Sequence, residues 1–167
     1  MHTVTLIPGD GIGPEVTDAM VKVVEASGAK INWEKVQAGE AVIEKYNTAI
    51  PDYVIDSIKK NKVAIKGPIT TPVGKGFKSV NVTLRQKLDL YVNLRPIKSF
   101  KGIKSRYEDV DLVIVRENTE DLYAGIEHKI GDYAAESIKI ITKPACERIC
   151  KFAFDYAKDN KRKKQDK

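Results

Sequence analysis

Apolar positions in the first half of the chain follow two alternating rhythms. Thr3 to Ile7 reads as a short strand running straight into Pro8-Gly9-Asp10-Gly11-Ile12-Gly13-Pro14-Glu15, after which Val16, Met20, Val23 and Val24 recur at helical spacing. A second strand is expected over 31–36, a helix after Ala38, and another from Pro51-Asp52 carrying Val54, Ile55 and Ile58. Val63 to Lys66 gives the next strand, which also enters a glycine-rich loop, Gly67 to Gly76. Strand and helix thus alternate. That order predicts an α/β chain with a mainly parallel sheet flanked by helices, and ligands beyond the carboxyl ends of its strands.

From Asp89 the rhythm becomes strictly twofold: Leu90, Val92 and Leu94 face one side, while Tyr91, Asn93 and Arg95 face the other. Asp111 to Val115 reads as a buried strand ending at Arg116, and Tyr123 to Glu127 with Ser137 to Thr142 as two antiparallel arms. The domain division is placed near Pro96: 1–95 as part of a larger domain, 96–160 as part of a smaller α+β one, and 161–167 as a basic tail.

With 167 residues, 42% hydrophobic and 31% charged, the chain has enough apolar material for a core and too little bias to be disordered. Its longest aliphatic run, Leu112 to Val115, is far short of the roughly 20 residues that span a bilayer, so no membrane partner is expected. The net charge is +6, but the last seven residues hold five positive charges and one negative; without them it falls to +2. A basic tail with no aromatic platform is read as solvated, and nucleic acid is not the expected partner. Cys146 and Cys150 lie in a helix-period segment with Ile149, Phe152, Ala153, Tyr156 and Ala157, and are read as small core residues. With only two cysteines and two histidines, neither a disulfide framework nor a zinc site is expected, and a reducing, cytoplasmic setting follows.

The first glycine turn is G-x-G-x-G, with a proline where the helix begins, so it is not the dinucleotide fingerprint. On its own it serves equally as a tight turn or as an anion-binding loop. Three arginines, Arg85, Arg95 and Arg116, stand at positions that the local patterns mark as polar. Asn81 and Arg85 are four apart on a predicted helix, and Ser79 sits where its cap would be. Guanidinium forks bind carboxylates bidentately, so three of them match the charge of a tricarboxylate.

Four segments in order carry a resemblance: Gly9-Asp10-Gly11-Ile12-Gly13-Pro14-Glu15, Thr70-Thr71-Pro72-Val73-Gly74, Ser79-Val80-Asn81-Val82-Thr83-Leu84-Arg85, and Arg116-Glu117-Asn118-Thr119-Glu120-Asp121-Leu122-Tyr123-Ala124-Gly125. The chain resembles the isocitrate/isopropylmalate dehydrogenase family, and within it the NAD-type isocitrate dehydrogenases. The resemblance implies oxidation of isocitrate by NAD, with NADP as the alternative, followed by loss of carbon dioxide to give 2-oxoglutarate. It also implies a Mg2+ or Mn2+ ion. By matching motifs, Arg85, Arg95 and Arg116 hold substrate carboxylates, Ser79 and Asn81 meet the remaining one beside the nicotinamide, and Tyr123 gives a proton to the enolate. Thr71, Ile12, Lys66 and Asn81 are implied at the cofactor. A polar Ser79/Asn81 pair favours isocitrate over isopropylmalate, because an isopropyl group would leave a buried hydroxyl and amide without partners.

The family pattern also has a second half with the metal-binding aspartates, a lysine contributed across a dimer interface and the adenosine pocket, none of which has a match here. Expected partners are therefore isocitrate and a second copy or complementary chain, and these residues alone are expected to be inactive. A regulatory subunit of a hetero-oligomer is the second reading.

Overall fold

The computed structural model describes residues 1–70 and 79–162. The chain divides into two compact units, Met1–Leu88 and Asp89–Lys167.

The first unit contains β1 (His2–Ile7), α1 (Gly13–Ala26), β2 (Ile31–Lys35), α2 (Glu40–Tyr46), α3 (Asp52–Asn61), β3 (Ala64–Lys66) and α4 (Val80–Lys87). Its sheet has the order β2-β1-β3, and both pairings are parallel, as the alternation predicts. Helices cover the central strand, so Thr5, Leu6 and Ile7 are essentially buried. The buried Thr5 hydroxyl bonds to Ser57 Oγ at 2.8 Å and accepts from Asn61 Nδ2 at 2.9 Å, which offsets the cost of a polar residue in the core. Ile7 packs with Val36, Ala38, Ile50, Val54 and Ile55 and, from α4, with Val80 and Leu84. Full burial of one such side chain stabilises by about 1.5–3 kcal/mol, so α4 is anchored mainly through those two residues.

Helix α1 departs from the expected packing. Its buried residues are Gly13 and Thr17, whereas Val16 and Val23 are 50% and 71% exposed. Thr17 faces inward because its hydroxyl donates to the Pro8 carbonyl at 3.2 Å, which fixes the rotation of the helix.

The second unit contains β4 (Val92–Lys98), β5 (Asp111–Glu117), β6 (Asp121–Ile130), β7 (Ala134–Ile140) and α5 (Lys143–Asp159). β4 pairs with β5, and β6 with β7, both antiparallel. The two arms are longer than expected from the pattern. The Asp111 to Val115 run is not buried as a whole: Leu112 and Ile114 are 44% and 45% exposed, because α5 packs on β5 from one face and the two-stranded sheet leaves the other open. The compact units divide before Asp89, and β4 forms one continuous ladder with β5 from Val92 to Lys98.

Two further expectations change. Cys146 and Cys150 are exposed, not core, because they sit one residue beyond Ala145 and Ile149 on α5 and so lie on the flank of its covered stripe. Arg162 is not a solvated tail residue: its guanidinium donates to Asp111 Oδ1 at 2.8 Å and to the Asp111 carbonyl at 2.9 Å. No helix among the described residues is long and apolar enough to cross a membrane.

Candidate active site

In the first unit, the turns following β1 and β3 meet backbone to backbone. Asp10 N donates to the Pro68 carbonyl at 3.1 Å, and Gly13 N to the Asp10 carbonyl at 2.8 Å. A Cβ on Gly9 would collide with the Pro68 carbonyl oxygen, and one on Gly67 with that of Pro8, so both positions require glycine for close approach. Two amides of the turn, those of Asp10 and Gly13, are thus committed to protein carbonyls. Beside it Ile12 is 68% exposed, and among the described residues no atom lies within 4 Å of where a Cβ on Gly11 would stand.

Lys66, at the end of β3, donates from Nζ to the Gly67 carbonyl at 2.7 Å. Burial lowers its pKa; Asp10 opposes that shift and Arg85 adds to it. Ile12 and Lys66 thus both stand at the carboxyl ends of the parallel strands, the first exposed and the second half-buried. Thr71 lies outside the described residues.

Val80 and Leu84 face the core, which places Asn81 and Arg85 together on the adjoining, half-buried flank of α4. Ser79 occupies the N-cap position, but its side chain makes no capping bond; its carbonyl accepts instead from Thr83 N at 2.9 Å and Thr83 Oγ1 at 3.0 Å. The hydroxyl is therefore not consumed as a helix cap.

In the second unit, Asn93 lies opposite Arg116 and Arg95 opposite Ile114, so both arginines stand on the same open sheet face as diagonal neighbours. Arg95 Nε donates to Asn93 Oδ1 at 3.1 Å. Arg116 Nη2 donates to the Tyr123 hydroxyl at 3.2 Å, with the guanidinium 5.5 Å from the centre of the ring. Tyr123 reaches this point because β6 breaks register with β7 between Asp121 and Ile126, and Gly125 takes φ +68° within the break. The predicted residues thus fall into two groups: Ser79, Asn81 and Arg85 on the first unit, and Arg95, Arg116 and Tyr123 on the second.

The structure adds residues whose roles the sequence did not disclose. Glu117 accepts from Thr119 N and Glu120 N, each at 2.8 Å, and from Thr119 Oγ1 at 2.6 Å, folding the turn between Arg116 and Tyr123. Burial pushes the Glu117 carboxyl up, but those bonds and Arg148 outweigh it and hold the group below its ordinary pKa. Arg148 of α5 bonds to Asp89 at 3.0 Å, Glu117 at 3.4 Å and Thr119 Oγ1 at 2.8 Å, and lies 4.5 Å from the Tyr91 ring centre. Glu120 receives Thr142 N at 2.8 Å and Oγ1 at 2.7 Å, and Thr142 caps α5 at Ala145 N. The Glu117 turn had a local signal, a carboxylate two and three residues before the amides it binds. Arg148 had none, since Asp89 is 59 residues away.

A concavity of about 1280 Å3 lined by Ile97, Phe100, Ile103, Tyr107 and Leu112 lies at the other end of the β4–β5 ladder from Arg116 and holds none of the predicted residues. Among the described residues no group of three or more His, Cys, Asp or Glu side chains is placed to hold a metal ion.

The sequence profile described as isocitrate/isopropylmalate dehydrogenase matches residues 3–165. The chain belongs to that family. A probable mitochondrial NAD isocitrate dehydrogenase of Drosophila melanogaster, the alpha member of its complex by name, is 50% identical over 96% of this chain and 43% of its own length. A mitochondrial NAD isocitrate dehydrogenase chain of Dictyostelium discoideum, described as regulatory, is 51% identical over 98% of this chain and 45% of its own length. The crystal structure of isocitrate dehydrogenase from Methylococcus capsulatus superposes with a TM-score of 0.89 at 56% identity, covering 98% of this chain and 49% of that one. The chain thus spans about half the length of the family members it matches, and its α/β fold is an incomplete one of this family. The cytoplasmic expectation is withdrawn, because these two curated relatives are mitochondrial by name. Sparse cysteines report redox poise, not address.

Proposed function

We propose that this chain contributes the substrate-carboxylate groups and part of the nicotinamide site of an NAD-dependent isocitrate dehydrogenase, which yields 2-oxoglutarate and carbon dioxide. In this reading the first unit belongs to the larger cofactor and substrate domain and the second to the smaller dimerisation domain. Arg85, Arg95 and Arg116 hold the carboxylates, Ser79 and Asn81 meet the one nearest the nicotinamide, and Thr71, Ile12 and Lys66 line the cofactor. NAD, when bound, accepts the hydride from the hydroxyl-bearing carbon.

The observation that supports this most strongly is the Arg116–Tyr123 pair on an open face that also carries Arg95. A phenol beside a guanidinium is a suitable proton donor, since the cation stabilises the phenolate that donation leaves. The Ser79 hydroxyl, not used as a cap and next to Asn81, favours isocitrate over isopropylmalate. NAD rather than NADP rests on the NAD-type names of the relatives.

The test is whether the purified protein, with a divalent cation and its partner chain, converts isocitrate and NAD to NADH and 2-oxoglutarate. Failure with isocitrate but turnover of 3-isopropylmalate would reassign the substrate.

A second reading, a regulatory role, draws on the 51% identity to a relative of that description. It predicts that the chain binds isocitrate while Tyr123→Phe leaves the turnover of the assembled enzyme unchanged. Partners in either case are isocitrate and a second copy or complementary chain.

A further inference from the structure

Asp10 is the point where three turns at the carboxyl ends of the parallel strands come together. Its Oδ1 accepts from Thr70 N at 2.6 Å, in the turn after β3. Its Oδ2 accepts from Glu40 N at 3.3 Å, the first amide of α2, into which the turn after β2 leads. Its own backbone belongs to the turn after β1 and bonds to Pro68. Gly39, at φ +101°, brings the second turn so close that an added Cβ would stand 2.6 Å from Oδ2. Burial pushes the Asp10 carboxyl up, but the Thr70 and Glu40 bonds and the Lys66 charge outweigh it, so the group stays ionised below the usual carboxylate range. One of these bonds satisfies the first amide of α2, but that does not account for the bond the same carboxylate makes to Thr70 in a separate turn.

We propose that Asp10 is a positioning residue that locks the turns after β1, β2 and β3 into one rigid edge, and thereby sets the spacing between the Ile12 turn and the Thr70 turn in which the nicotinamide end of the cofactor binds. The cofactor half of this statement rests on the dehydrogenase reading above; the locking half does not. Asparagine at this position keeps one amide-accepting oxygen and turns an NH2 toward the other donor, so it retains one of the two bonds. Alanine retains neither.

The experiment has two arms. In the first, amide hydrogen exchange of Thr70 and Glu40 is followed in the intact protein and in its Asp10→Asn and Asp10→Ala forms. Thr70 is expected to exchange on the order of tenfold faster or more in the alanine form, with Asp10→Asn intermediate. Equal Thr70 exchange in all three overturns the proposal. In the second, steady-state constants are measured in the active holoenzyme. The KM for NAD is expected to rise roughly tenfold in Asp10→Ala and less in Asp10→Asn, with the KM for isocitrate changed by less than about twofold. Parallel loss in both constants, or an asparagine form as impaired as the alanine one, overturns it. If the holoenzyme reduces no NAD with isocitrate, the dehydrogenase reading has failed, and the exchange arm alone decides whether Asp10 locks the turns.

Discussion

Arg116 donates a hydrogen bond to the Tyr123 hydroxyl at 3.2 Å, although the two residues belong to different β-ladders. The pairing depends on the Glu117-centred turn and on the register break that re-aims Tyr123. Removing the phenol oxygen should spare hydride transfer and slow the steps after it. In Tyr123→Phe we expect overall turnover to fall roughly 10²-fold, the contribution typical of a positioned general acid. Separate measurement of NADH and 2-oxoglutarate formation checks this; an unchanged rate of 2-oxoglutarate formation rules out the proton-donor role.

Arg116 itself should matter earlier, at binding. Loss of a charge-assisted carboxylate contact costs about 3 kcal/mol, so Arg116→Ala should lower kcat/KM for isocitrate by roughly 10²-fold or more. Initial-rate kinetics over a range of isocitrate concentrations decide it. A change below about threefold would place the guanidinium away from the substrate.

Gly9 and Gly11 both have positive φ, at +84° and +56°, yet only Gly9 is crowded. Gly9→Ala drives a methyl into the Pro68 carbonyl and should cost about 3 kcal/mol or more, whereas Gly11→Ala carries only the left-handed backbone penalty of about 1 kcal/mol. Urea midpoints of the two variants should differ accordingly. Equal losses would mean that the two turns do not touch in solution.

Glu34 on β2 bonds to Lys60 at 2.9 Å, and this contact, with lesser contributions from Ser57 and Asn61, pulls its pKa down to about 2. A depressed carboxyl contributes stability that is fully present above its unfolded pKa, near 4.5, and is lost as pH falls through about 2. An NMR titration of the Glu34 carboxyl should give a midpoint well below that of an ordinary glutamate, and Lys60→Ala should move it back up. A midpoint near 4.5 in the intact protein would show that the pair does not persist in water.

Arg148 ties α5 to Asp89, to Glu117 and to the Tyr91 ring. Burial works against its charge, but the two carboxylates outweigh that and hold it more firmly protonated. Arg148→Ala should destabilise the second unit by about 2 kcal/mol, because Glu117 loses a charged partner while staying partly buried. Thermal unfolding followed at α5 tests this, with Arg148→Lys expected to recover only part of the loss, since an ammonium cannot span three acceptors.

The alternating pattern disclosed the parallel sheet, the helix order and the antiparallel arms, because each rests on local periodicity that burial enforces. It misplaced Val16, Val23, Leu112 and the cysteines, since periodicity marks a stripe without saying which side of it is covered. The motifs singled out the arginines and Tyr123, and of these the structure brings Arg116 and Tyr123 into contact. Arg148 and the dual role of Asp10 were not: their partners lie 59 and 30 to 60 residues away, and no spacing rule reports a contact that only the fold creates.

Under the proposed function, the open face carrying Arg95, Arg116 and Tyr123 holds isocitrate by its carboxylates. A crystal structure of the assembled protein with isocitrate tests it most directly. The Arg95 and Arg116 guanidinium groups should then lie roughly 3 Å from carboxylate oxygens, with the Tyr123 phenol in the same cavity. Isocitrate bound elsewhere, or bound with neither arginine in contact, would contradict it.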